Sequence, residues 1–224
     1  MKAHRPGQEV EQRADCLHKA TGSGRGGYIG GQETCRLGKK FFEQPPLQCA
    51  EALLGYELVW GLTSGIVTEA EAYSERDDPA CHTVHRPSAR AFLEQNPAGT
   101  AYVYLNYGMY WLLNVVVKSP DECGFVLLRG LWPTGGIALM TRRRKGAKDL
   151  CGGPGKLGRA LGLDGSAHGK TFLCKERYFR GPPIRPGEVY CGGRIGISRG
   201  QDLPWRFWFD TEPLRGAEQD GGAG

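Results

Sequence analysis

The sequence predicts an α+β fold, a single compact domain in which a curved, mainly antiparallel β-sheet is flanked by helices. Three observations predict it. The 224 residues are 40% hydrophobic, enough to bury one large core. Apolar, strand-like runs succeed one another through the middle of the chain without long helices alternating between them, which argues against a doubly wound sheet. The 35 glycines show no Gly-X-Y period, which excludes collagen, and they punctuate turns instead.

Residues 1–34 are polar, Gly-rich and aperiodic, and are expected to form a disordered arm. Their Gly22-x-Gly24-x-x-Gly27 spells a dinucleotide fingerprint, but no apolar strand precedes it and no amphipathic helix follows, so the spelling carries no function. The folded domain is expected over residues 35–215, with a disordered tail at 216–224. Leu47–Leu54 reads as an amphipathic helix closed by Gly55. Glu57–Trp60 and Gly65–Tyr73 read as a hairpin through a Gly61–Ser64 turn, and Ala101–Lys118 as a β-rich stretch broken at Gly108. Phe125–Trp132 is a nearly continuous apolar strand. Helices follow over Gly136–Arg144 and from Pro154, whose missing N–H costs nothing at a first helical position. Short strands are expected at Arg194–Ile197 and Trp205–Phe209.

Charge and cysteine usage narrow the function classes. With 29 Lys and Arg against 24 Asp and Glu the net charge is +5, which favours a polyanionic partner without requiring one. No uncharged apolar run approaches the roughly 18 residues of a membrane span. The first fifteen residues lack the apolar stretch of a secretory signal, so an intracellular protein is expected. The eight cysteines contain no C-x-x-C and suggest neither a disulfide framework nor a zinc ribbon. Cys81, His82 and His85 lack a fourth ligand at recognisable spacing, so no metal is expected.

Chemistry-bearing residues concentrate in the strands. A period of two places Glu69, Glu71 and Tyr73 on one face of their strand, which is either solvated or lines a pocket, while Thr68, Ala70 and Ala72 take the other. Arg129 sits inside Phe-Val-Leu-Leu-Arg-Gly-Leu-Trp and must be paired if buried; Glu69 and Glu71 are its expected partners. The run Tyr-Val-Tyr-Leu-Asn-Tyr-Gly-Met-Tyr from Tyr102 to Tyr110 is either ordinary core or a stacking surface at a wet boundary, with Gly108 marking a bend that could push Tyr107 outward. Gly153-Pro154-Gly155-Lys156 fails the nucleotide-binding pattern because Leu157 follows the lysine, yet it remains a candidate contact for a backbone phosphate. Arg142 to Lys145 form a basic run that is a solvated helix face or a further phosphate contact.

Taken in order, several segments resemble the alkyladenine (3-methyladenine) DNA glycosylase family of base-excision repair. They are Arg36-Leu37-Gly38, Ala52-Leu53-Leu54-Gly55, Glu69 with Glu71-Ala72-Tyr73, His82, Tyr102-Val103-Tyr104, Tyr107-Gly108-Met109, Asn114, Leu127-Leu128-Arg129, Gly153 to Leu157, Arg194-Ile195-Gly196 and Arg206-Phe207. The resemblance covers roughly residues 36–209. It implies a monomeric, cofactor-free and metal-free enzyme that flips damaged purines out of double-stranded DNA and hydrolyses the N-glycosidic bond, leaving an abasic site. By position it makes Glu71 the general base and Arg129 its basic neighbour. Tyr73, His82 and Tyr104 become walls of the base pocket, Asn114 the residue that disfavours guanine's 2-amino group, and Tyr107 the intercalating wedge. Arg90, Met109, Arg142 and Lys156 are expected at the DNA backbone. The chain departs from the family after His82, where a Thr-x-Arg-Asn-x-x-Met-Phe pattern is replaced by Ser88-Ala89-Arg90-Ala91-Phe92-Leu93-Glu94-Gln95. That departure motivates one rival, a divergent homologue that binds damaged DNA without cutting. A hydrolase of a free nucleoside or other small molecule is the other.

Overall fold

The structure, a computed structural model, describes residues 35–184 and 187–214. The segment 1–34, with its Gly22-x-Gly24-x-x-Gly27, and the segment 216–224 lie outside the described residues. One sheet holds β1 (Cys35–Arg36), β2 (Glu57–Trp60), β3 (Thr63–Ser74), β4 (Ala101–Asn106), β5 (Tyr110–Lys118), β6 (Cys123–Gly135), β7 (Arg177–Gly181), β8 (Val189–Gly192) and β9 (Arg206–Phe209). Every pairing is antiparallel, in the order β1-β7-β2-β3-β6-β5-β4. The strand β3 is central: β6 runs along one edge, and β2 and then β9 share the other, with β8 attached to β9. The helices are α1 (Pro46–Leu53), α2 (His82–His85), α3 (Pro87–Gln95), α4 (Ile137–Arg143) and α5 (Pro154–Leu161).

Alternation along the strands divides the molecule into two layers of packing. Val115 and Val117 of β5 enter the main core with Ala70 and Ala72 of β3, Leu53 of α1 and Leu157 of α5. Val116 points the other way, into a smaller cluster with Tyr102, Phe125, and Ala89 and Leu93 of α3. Small residues on one face of β3 let α1 pack closely, as the pattern of Thr68, Ala70 and Ala72 implies. The opposite face of the same strands is left to carry polar groups and aromatic rings, and it becomes the floor of the site.

A local irregularity aims the key arginine. The register of β3 on β6 steps from Val67 opposite Leu131 to Glu69 opposite Gly130, and then to Ala70 opposite Leu128, so Thr68 and Arg129 are each passed over. Two offsetting bulges of this kind re-aim side chains without ending the pairing. Gly130 makes the close approach possible, because a Cβ there would lie 2.7 Å from Thr68 Oγ1.

Some expectations need correction. Arg194–Ile197 is not a strand; β8 forms earlier, at Val189–Gly192, and Gly196 takes a left-handed φ of 80° that breaks the alternation. The turn expected at Gly61–Ser64 is tighter, since Thr63 already pairs with Trp60 and only Gly61 and Leu62 lie between. The elements β1, β7, α2 and α3 had no clear signal: the first two are short or rich in arginine, and α3 buries only Ala89 and Leu93.

Candidate active site

One face of the sheet supplies a cavity of about 310 Å³ at alternating positions: Tyr102 and Tyr104 of β4, Leu112 and Asn114 of β5, Leu127 and Arg129 of β6. Tyr73 of β3 and His82 at the start of α2 wall it, Tyr107 reaches it from the β4–β5 turn, and Ile195 to Ile197 line it from the loop after β8. Its volume and aromatic lining suit one flat ring system.

Beside the cavity lies a chain of alternating charges. Arg129 Nη1 is 3.2 Å from Glu71 Oε1 and Arg129 Nε donates to Glu69 Oε1 at 2.9 Å, while Arg206 Nη1 reaches the same Glu69 oxygen at 3.3 Å. The face of Glu69 and Glu71 is therefore not solvated: Glu71 is 0% exposed. Glu71 Oε1 also accepts the Ile195 N–H at 2.8 Å, and Oε2 accepts the Tyr73 hydroxyl at 2.8 Å. The carboxylate is wholly covered, yet Arg129, Tyr73 and Ile195 all line the cavity. Burial pushes the Glu71 pKa above the ordinary carboxylate range, outweighing the opposing pull of Arg129 and the two hydrogen bonds.

The aromatic walls are ordered among themselves. His82 meets the Tyr104 ring edge-on at 4.5 Å and its Nδ1 is 3.0 Å from the Tyr102 hydroxyl. Burial, reinforced by Arg86 and His85, depresses its pKa to about 4, so its ring is neutral at physiological pH. Burial pushes the Tyr104 hydroxyl up to about 12. Asn114 is buried with its Nδ2 donating to the Tyr102 carbonyl at 3.1 Å, which leaves its amide oxygen without a bond drawn from that contact.

The expected backbone-contacting residues are dispersed. Met109 sits in the same turn as Tyr107, and both are exposed, Tyr107 at 81%. Arg142 is exposed on α4. Arg90 on α3 bends back to donate to the Thr83 carbonyl through Nε and Nη2. Lys156 on α5 is held by Asp149 at 2.6 Å. None of Ser88 to Gln95 lines the cavity; Phe92 acts one layer back, against Tyr102 and His168 with ring centroids 5.4 and 4.1 Å away. Cys81, His82 and His85 take separate partners, and no cluster able to hold a metal ion forms among the described residues. Sequence reasoning gave no role to Asp78, Arg194 or the Ile195 amide. The one available signal was an arginine in an otherwise apolar-and-glycine stretch.

A buried carboxylate set beside a slot for one flat ring fits a hydrolase of the bond joining such a ring to a sugar. Residues 40–213 match the model of the methylpurine-DNA glycosylase (MPG) family. A protein of Rubrobacter xylanophilus is 46% identical over 149 residues, 66% of this chain and 77% of its own length. One from Rhodopseudomonas palustris is 39% identical over 175 residues, covering 77% and 86%, and one from Frankia casuarinae 41% over 189 residues, covering 78% and 89%. Each is provisionally named a 3-methyladenine DNA glycosylase. The chain belongs to the methylpurine-DNA glycosylase family, DNA-repair hydrolases that cleave N-glycosyl bonds. No helix among the described residues is long and apolar enough to cross a membrane.

Proposed function

We propose that the chain acts as a monomer and excises alkylated and deaminated purines, the 3-methyladenine, 7-methylguanine and hypoxanthine class, from duplex DNA, leaving an abasic site. The observation that carries this reading is the buried Glu71 carboxylate, paired with Arg129 and hydrogen-bonded to Tyr73 and Ile195, all three of which line the aromatic cavity. The flipped base stacks among Tyr73, His82 and Tyr104, where an alkylated, positively charged purine is drawn to tyrosine faces. Tyr107 fills the space it leaves in the duplex. When the Tyr73 hydroxyl turns off Glu71 Oε2, that oxygen takes a proton from water attacking C1′, and the carboxylate offsets the positive charge growing on the sugar. Among the described residues no lysine lines the cavity, which supports a hydrolytic rather than a Schiff-base, strand-cleaving course.

Glu71→Gln keeps the shape of the side chain and loses the base. Single-turnover release of 7-methylguanine is expected to fall on the order of 10²–10⁴-fold, with duplex affinity retained. A rate within tenfold of the parent would remove Glu71 from this role. The full coverage of Glu71 favours a second reading, a damaged-DNA-binding homologue that no longer cuts. It would stand if the parent protein retained alkylated duplex and released no base.

A further inference from the structure

The loop from Gly193 to Gly200 has no regular secondary structure, yet it contains a completely buried guanidinium. Arg194 Nη1 donates to Asp78 Oδ2 at 2.6 Å and to the Ala72 carbonyl at 2.9 Å, and Nη2 donates to Asp78 Oδ1 at 2.7 Å and to the Gly200 carbonyl at 3.3 Å. Asp78 also accepts the Ser74 and Ala80 N–H groups at 3.2 and 3.0 Å. One fork-to-fork pair therefore ties together the end of β3, the approach to α2 and both ends of the loop.

Both oxygens of Glu71 are held by groups that Arg194 controls. The Ile195 N–H on Oε1 belongs to the next residue along the chain. Tyr73, whose hydroxyl holds Oε2, lies with its ring under the Arg194 guanidinium at 4.6 Å, and Trp205 lies on the guanidinium at 5.1 Å. A buried ion pair is a weak stabiliser, because desolvation offsets most of its Coulombic gain. What a bidentate pair does supply is direction. We infer that Arg194, locked by Asp78, is a positioning residue for the reaction: it aims the Ile195 amide and the Tyr73 hydroxyl at Glu71 and so fixes the carboxylate's orientation and charge. The inference rests on the reading of Glu71 as general base.

Other groups also face Glu71. They are Arg129 from β6, Glu69 and Tyr73 from β3, and Tyr104 from β4, with Arg206 of β9 acting through Glu69. Arg194→Lys replaces none of these residues; it keeps one charge opposite Asp78 and loses the fork. The measurement is single-turnover release of 7-methylguanine from duplex DNA across a pH series. That base already carries its positive charge, so the acid limb reports an enzyme carboxylate. Arg194→Lys is expected to slow release about 10- to 100-fold at neutral pH, the scale of a small misplacement of a reacting group. The acid limb is expected to move upward, because Glu71 loses a donor to its ionised form, and duplex affinity is expected to stay within threefold. Phe179→Leu, a core change in β7, is the control for stability alone and should leave the limb in place. Should Arg194→Lys fail to fold, the neutral combination Asp78→Asn with Arg194→Gln strands no charge and gives the same readout.

A folded variant with the parent's rate and acid limb overturns the inference, as does an equal shift in Phe179→Leu. Glu71→Gln run alongside separates the two ideas. If it stays active, the general-base reading has failed; if it is inactive while Arg194→Lys matches the parent, only the positioning role has.

Discussion

Asn114 is an amide in an apolar strand, and one of its polar atoms is accounted for by the Tyr102 carbonyl. The residue lines the cavity, and under the proposed function its bulk would oppose a purine 2-amino group there. Asn114→Ser is expected to raise release of 7-methylguanine relative to hypoxanthine, even if total activity falls. A fixed ratio with a lowered melting temperature would reduce the residue to a support for β4. His82 makes a pH prediction. Its ordinary value of 6.5 is depressed to about 4 in the folded chain, first by burial and then by Arg86 and His85. The contribution of the neutral ring to stability is therefore complete above pH 6.5 and is lost as pH falls from there through about 4. His82→Gln should flatten the fall in melting temperature between neutral and mildly acidic pH. An unchanged slope would mean that other groups govern acid sensitivity.

Among the elements, the β4–β5 hairpin turns through Tyr107 and Gly108, both left-handed with φ of 49° and 68°, and closes with Met109 N–H donating to the Asn106 carbonyl at 3.0 Å. Glycine takes that conformation freely, whereas a tyrosine there is strained by about 1–2 kcal/mol. Tyr107→Asn, which suits the left-handed region, should therefore raise the melting temperature while abolishing the 2-aminopurine fluorescence change that reports flipping. A retained fluorescence change would separate Tyr107 from the wedge role, whatever the melting temperature does. How legible each element was follows from its burial. β5 and β6 announce themselves as long apolar runs, and Arg129 inside one of them forced the search for Glu69 and Glu71, because a buried charge requires a counter-charge. Asp78 gave no such signal, since it is one of two adjacent aspartates in a polar turn and only the fold distinguishes buried Asp78 from exposed Asp77. Arg194-Ile195-Gly196-Ile197 alternates like a strand, but its arginine is the buried member, which inverts the usual reading.

For the molecule as a whole, the surplus of five positive charges predicts that affinity for undamaged duplex falls linearly with salt on logarithmic axes. Arg142 is available for such a contact, whereas Lys156 is held by Asp149, which also accepts the Gly152 N–H at 2.7 Å. Asp149 thus engages both the Gly152 N–H and the Lys156 ammonium just before α5. Asp149→Asn can still accept from Gly152 while releasing the lysine, so it should tighten binding and steepen the salt slope by about one unit. A titration from about 50 to about 200 mM salt checks both, and a salt-independent affinity would favour a small-molecule substrate.

The central strand β3 pairs with β9, and Glu71 binds the amide of Ile195, so this buried carboxylate waits for partners made much later in the chain. At the ~5–20 residues per second of synthesis, Glu71 emerges on the order of ten seconds before Arg206. Until then the chain of charges is unfinished: Glu71 lacks the loop amide and Glu69 lacks the outer arginine. An interrupted chain that stops before Arg194 therefore has a Glu71 without its amide donor and a Glu69 without its second arginine.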